Sequence, residues 1–483
     1  MAKGNEFSGR LEWRINVADG TSKTLVPESG IIQKSCRRLQ GVVVGITLRI
    51  WSFLHKAWEI GVNEPKKFFH CLKVGMALSL VSLFYYMRPL YDGYGTNAMW
   101  AVMTVVVVFE YTVGATLCKC VNRAMATFLA GSLGIGVHWV ANQCGEKFEP
   151  VVLEFSVFLL AAAATFFRFI PSVKARFDYG LLIFILTFSL VSVSGFRVDK
   201  LFEMAHQRLS TITIGVSFCI ITSMLFCPVW AGQELYSLIN RNLEKLADSL
   251  DGCVAEYFTD DGTKEDSSKN LQGYKCVLNS KATEESMANF ARWEPAHGRF
   301  NFGHPWKQYL KIGSSMRNCA YCIETLNGCI SSEIQAPEFL KKHFNDVCMR
   351  LSSHSSNVLK ELGNTMKSMT KSSKTESSVR EMNFTVQELQ SALKSLPYQL
   401  ALFTSPALEA SNNGKDEAPT ESSKVPLLEI LPVTTVASLL IEIAARIEGI
   451  VEEVDELANQ AEFKPASKKG SKKTQQSSTD DKD

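Results

Sequence analysis

An excess of charge of one sign is missing from this chain of 483 residues: 51 basic residues are balanced by 49 acidic ones, a net of +2 at pH 7. That balance excludes the electrostatic footprint of a nucleic-acid binder, so no nucleic-acid partner is expected. Histidine is scarce, eight in all. His297 and His304, the pair nearest to a motif, lack cysteines or paired carboxylates at ligand spacing. No phosphate loop, dinucleotide-binding loop or nucleophile elbow occurs, so neither an enzyme nor a nucleotide-driven pump is expected, and no cofactor. The 13 cysteines include one C-x-x-C, Cys319 and Cys322, inside a helical pattern where helix packing is the default. Only Cys144 is a clear loop cysteine. No disulfide framework or metal site is assigned. Residues 1–30 lack the basic-then-apolar order of a cleavable signal, which leaves the first long apolar run as the targeting signal.

What is present is a very apolar half joined to a very polar one, which is why the mean hydropathy is only +0.02. Between residues 68 and 230, about six apolar segments approach the roughly 20 residues that cross a hydrocarbon core. They fall at 68–87, 97–117, 122–140, 151–170, 179–194 and 209–230. The chain therefore reads as an all-α polytopic membrane protein with six transmembrane helices followed by a cytosolic helical domain. Its divisions are a polar N-terminal region at 1–60, a six-span channel domain at 61–230, a helical domain at 231–463 and a disordered, low-complexity tail at 464–483. Segment 41–57 is apolar but carries Arg49; it reads as an interfacial helix, with a seventh span as the alternative. Lys66, Lys67, Lys119, Lys174 and Arg176 fall in connections on one side, which favours a cytosolic N-terminus. Gly131, Gly134 and Gly136, with Ala130 and Ser132, allow close helix approach.

Charged groups inside or beside these spans are the candidate site. A cation in lipid is costly, so it faces a bundle interior or a water path unless it snorkels to headgroups. Lys73, Lys119, Arg123, Arg168 and Arg208 outnumber the acids there. Guanidinium groups supply several fixed donors to an ion that has shed water. Arg123 and Arg208, with Lys119, are therefore assigned to an anion pore, and Glu110 in VVVVFEYTV to a counter-ion role. Asp199 and Glu203 share a helical face at i, i+4. With Asp92 they form a candidate outer cation-sensing site, a solvated face being the default reading.

After CPVWAG the chain reads as helices at 233–257, 276–292, 304–330, 337–366, 385–397 and 425–462. The irregular stretch ARWEPAHGRFNFGHPWKQY, broken by Pro295, Gly298, Gly303 and Pro305, reads as a structural tie between helices. Segment 427–458 is too interrupted and charged for a further crossing, and amphipathic packing explains it better.

The motifs KVGMALSLVSLFYY, NAMWAVMTVVVVFEYTVGATL, NRAMATFLAGSLGIG, RFIPSVKARFDYG, CPVWAG and, most specifically, WEPAHGRF occur in one order across residues 55–465. In these the chain closely resembles the plant aluminium-activated malate transporters, a family of anion channels. The resemblance implies a homodimer in membrane lipid, with six helices per subunit and a pore built from both. It implies passive conduction of malate and of other organic or inorganic anions. The family's pore arginines map to Arg123 and Arg208, with Lys119 at a further basic position. Its outer acidic positions map to Asp92, Asp199 and Glu203. Lys200 stands among the last of these and weakens attraction for a trivalent cation, so the resemblance leaves aluminium as an undecided partner. The plasma membrane is the expected location, with the vacuolar or another endomembrane as the alternative. A secondary active organic-anion transporter or exchanger is the alternative function.

Overall fold

The computed structural model describes residues 14–16, 22–24, 31–87, 98–145, 147–195, 201–258, 272–330, 332, 335–403 and 427–465. Residues 1–71 form one unit and residues 72–483 another. In the first, β1 (Arg14–Asn16) pairs antiparallel with β2 (Ser22–Thr24). Helix α1 follows over Ile31–Asn63. Its apolar side chains, among them Ile46, Ile50, Trp51, Phe53 and Trp58, are exposed.

Helix α2 (Pro65–Tyr86) begins on a proline, whose missing N–H costs nothing at a first helical position. In the second unit the bundle continues with α3 (Ala98–Val108), α4 (Val113–Gln143), α5 (Glu149–Phe167), α6 (Pro171–Gly195) and α7 (Leu201–Leu225). α4 packs along α6 and against α7, while α3 packs on α7. Ala77 and Val81 of α2, Ala101, Val105 and Val108 of α3, Cys120 of α4 and Cys219 of α7 share one buried cluster. The outward faces keep large apolar groups exposed, such as Phe128, Phe155, Phe158 and Leu225, as a lipid-facing surface requires. A Cβ on Gly134 would lie 2.7 Å from Val191 Cγ1, so this glycine sets the α4–α6 approach. Gly131 and Gly136 face open space.

Five helices among the described residues are long and apolar enough to cross a membrane: Val113–Gln143, Glu149–Phe167, Pro171–Val193, His206–Leu225 and Glu429–Gln460. The protein is thus an all-α polytopic membrane protein with a helical C-terminal region. The expected crossing over 97–117 is not one helix. α3 is 11 residues long, about 16 Å, roughly half a hydrocarbon core. The chain bends at 109–112, and Thr112 caps α4 by accepting from the Ala115 N–H at 3.3 Å. The Thr116 hydroxyl holds the bend, accepting from the Glu110 N–H at 3.1 Å and donating to the Thr112 carbonyl at 3.1 Å. α4 then runs unbroken for 31 residues through the stretch read as a connection, so Lys119 and Arg123 are helical. Likewise 171–178, read as a connection, forms the first turns of α6.

The helical region contains α8 (Ala231–Phe258), α9 (Gly273–Leu278), α10 (Lys281–Ala291), α11 (Trp306–Ile330), α12 (Glu338–Ser368), α13 (Ser373–Phe403) and α14 (Leu427–Gln460). A two-residue parallel pair, β3 (Thr370–Lys371) with β4 (Lys464–Pro465), closes it. Its core joins Leu235, Leu243 and Leu250 of α8 to Ile312 and Ile323 of α11, and to Leu351 and Leu359 of α12. α14, the fifth apolar helix, packs on α11 and α12 and buries Val433, Leu440, Ile443, Ile447 and Ile450 in that core. Its charged residues flank that face: Glu453 accepts from Gln308 of α11 at 2.6 Å and Arg446 pairs with Glu442 at 2.6 Å, although by composition alone the helix mimics a crossing. Cys319 is buried in the same core as a free thiol. Glu284 of α10 is fully buried. It receives Arg317 at 2.6 Å and the Ser280 hydroxyl at 2.6 Å.

Candidate functional site

The bend before α4 places a carboxylate beside the first turns of a helix that carries two cations. Lys119 binds the Glu110 carboxylate, and its ammonium lies 5.4 Å from the centre of the Tyr179 ring. Arg123 follows four residues later, on the same helical face. Its Nη1 donates to the Tyr179 hydroxyl at 3.2 Å. Tyr179, from α6, therefore serves both cations. Asn122 fixes the α4–α6 register beside them by donating to the Arg176 carbonyl at 3.0 Å.

Arg123 is 5% exposed, and its Nε has no hydrogen-bond partner among the described residues. A buried guanidinium with one phenol and an idle donor is under-satisfied and keeps hydrogen-bonding capacity to spare. Lys119 differs because Glu110 already neutralises it. The local set thus carries one uncompensated positive charge beside one compensated pair.

Arg208 stands apart. It is half-buried on α7, and its guanidinium lies 4.7 Å from the Trp100 ring centre on α3. That ring stabilises the cation without neutralising it. Arg208 and Arg123 thus stand on different helices, α7 and α4, against different aromatic partners, Trp100 and Tyr179.

Two other cations in the spans have structural partners. Lys73 is 4% exposed and donates to the Cys227 carbonyl at 2.9 Å, which orients its ammonium toward the chain that follows α7. Arg168 pairs with Asp178 at 2.7 Å across the α5–α6 turn. Asp92 and Asp199 lie outside the described residues, as does the side chain of Glu203. His304 meets the Tyr309 hydroxyl at 3.1 Å; burial holds its imidazole down at about 4, so it stays neutral near pH 7. Tyr179 and Trp100 are the residues that sequence reasoning missed. The usable signal was amphipathic aromatics at the start of apolar helices, with polar atoms that must find partners.

With this geometry in place, comparison with known proteins is specific. The family model described as "Aluminium activated malate transporter" matches residues 58–424 and 403–458. Aluminum-activated malate transporter 10 of Arabidopsis thaliana is 58% identical over 481 residues, covering 96% of each chain. Aluminum-activated malate transporter 2 of the same plant is 47% identical over 421 residues, covering 86% of this chain and 79% of the relative. Aluminum-activated malate transporter 1 of Triticum aestivum is 40% identical over 437 residues, covering 88% and 89%. On this similarity along nearly its whole length, the chain belongs to the aluminium-activated malate transporter family.

Proposed function

We propose that the protein is a passive anion channel that conducts malate, and inorganic anions beside it, across a plant membrane. The observation that supports this most directly is the buried Arg123 guanidinium with its idle Nε. In this reading Arg123 and Arg208 form two positive stations on different helices, with Lys119 held in reserve by Glu110. Two separated, weakly satisfying stations suit permeation, because an ion bound too well at one site does not leave. The working unit is a homodimer with six membrane helices per subunit, in which α2 and the short α3 complete the bundle. α1 lies in the membrane interface. The plasma membrane is the first location and the vacuolar membrane the second.

Voltage-clamp recording with malate on either face tests this. A channel gives reversal potentials that follow the anion gradient alone. Dependence on a second, coupled ion would replace it with a secondary active carrier. Arg123→Gln and Arg208→Gln are expected to lower unitary anion current or change selectivity; unchanged conductance and selectivity in both would remove them from the path. External aluminium is expected to leave the current unchanged, since Lys200 sits among the outer acids.

A further inference from the structure

Three of the motifs that mark this family are far apart in sequence and meet at one carboxylate. Glu294, of WEPAHGRF, is 5% exposed. Its Oε1 accepts the Gly114 N–H at 3.2 Å and the Ala231 N–H at 2.5 Å, and its Oε2 accepts the Gly232 N–H at 3.1 Å. Gly114 lies in the first turn of α4, and Ala231 and Gly232 open α8. One buried negative charge thus satisfies the orphan donors of two helix N-termini and faces the positive end of both dipoles. The Val113 N–H donates to the Val229 carbonyl at 2.9 Å and closes the same junction.

The surroundings leave little slack. A Cβ on Gly114 would lie 2.4 Å from the Phe290 carbonyl oxygen, and one on Gly232 would lie 2.3 Å from the Trp306 ring. His297 stacks on Trp230 at 3.9 Å and 11°. Its Nδ1 is 2.8 Å from the Pro295 carbonyl, which can only accept, so Nδ1 carries a proton. Its Nε2 faces the Glu294 carboxylate at 3.8 Å. Burial pushes the Glu294 carboxyl up from its ordinary value, while the three N–H groups and His297 act against that rise.

We infer that Glu294 is a positioning residue for conduction, clamping the start of the cation-bearing helix α4 to the first turn of α8. Lys119 and Arg123 lie five and nine residues beyond Gly114, on the same rigid rod. A tilt at the clamped end therefore moves both cations relative to Tyr179. The strap from α10 to α11 is then the mechanical link between the helical region and the conduction helix. This inference rests on the anion-channel reading for its electrical consequence, but not for the clamp itself.

The test uses the full-length protein in lipid. Glutamine at 294 keeps the shape but offers one carbonyl and an NH2, so at least one of three converging N–H groups loses its acceptor. In Glu294→Gln, amide hydrogen exchange at Gly114, Ala231 and Gly232 is expected to accelerate about tenfold or more relative to wild type. Unitary conductance or the malate-to-chloride permeability ratio is expected to change in the same channels. Gly232→Ala, which disturbs the junction without touching charge, is expected to reproduce both effects. Unchanged exchange in Glu294→Gln overturns the clamp. Faster exchange with wild-type conductance and selectivity overturns the positioning role and leaves a purely structural cap. If wild-type protein carries no anion current, the conduction reading fails, and the exchange measurement still decides the clamp.

Discussion

The Arg123 guanidinium and the Tyr179 hydroxyl meet at 3.2 Å between α4 and α6, the one side-chain hydrogen bond of Arg123 among the described residues. The phenol orients the cation without cancelling its charge. A carboxylate in the same place would have cancelled it.

Removing that hydroxyl is a mild test of the site. Tyr179→Phe keeps the ring beneath Lys119 but withdraws about 1 kcal/mol of orientation from Arg123. The expected outcome is conduction retained with a several-fold change in relative permeability among anions, read from reversal potentials under bi-ionic conditions.

Glu110→Gln releases Lys119 from its partner. The site then gains a free positive charge, and divalent malate is expected to bind more strongly than chloride. Single-channel recording in mixtures should show malate slowing chloride current at lower concentration than in wild type. Lys119→Gln in the Glu110→Gln background should reverse the change.

Trp100 holds Arg208 through its ring face. Trp100→Leu removes roughly 0.5–2 kcal/mol of cation–π attraction and lets the guanidinium reorient. Conductance is expected to fall less than in Arg208→Gln, and an Arg208→Lys channel should be less sensitive to the loss of Trp100. Paired current recordings of the single and double variants check this coupling.

Arg317 answers a fully buried carboxylate at Glu284. Arg317→Met leaves that charge uncompensated and is expected to cost about 3–5 kcal/mol of stability, while the double variant Glu284→Gln, Arg317→Met costs less. Thermal unfolding of the purified protein in detergent measures both.

His304 sets one acid-side limit on stability. Its folded value, about 4, lies below the ordinary 6.5, so between those two values the unfolded chain binds more protons. Its contribution is present above pH 6.5 and is lost as pH falls toward 4. His304→Gln should flatten that part of the curve, measured as the difference between the two unfolding profiles against pH.

Much of the architecture was legible in the linear chain because local patterns cause it. Apolar runs of bilayer length, the amphipathic pattern of α14 and the breakers Pro295 and Gly303 each act within a few turns. The helical region shows how far this reaches: 304–330 was read and Trp306–Ile330 is found, and 337–366 was read where Glu338–Ser368 is found. The choice of Arg123 followed from the cost of a guanidinium in an apolar span. That cost depends on composition and not on neighbours.

What the chain alone determined, then, was which segments must hide from water and which charges would be expensive there. Tertiary structure decided the rest. It ended α3 at Val108 and let α4 run on through Lys119, with the start of α4 held by distant partners, the Val229 carbonyl at Val113 and Glu294 at Gly114. It brought the Cys227 carbonyl to Lys73 across 154 positions and joined Glu294 to Gly114 across 180. No periodicity records such pairings, since a charge finds its partner through space and sequence order carries only the local part of that information.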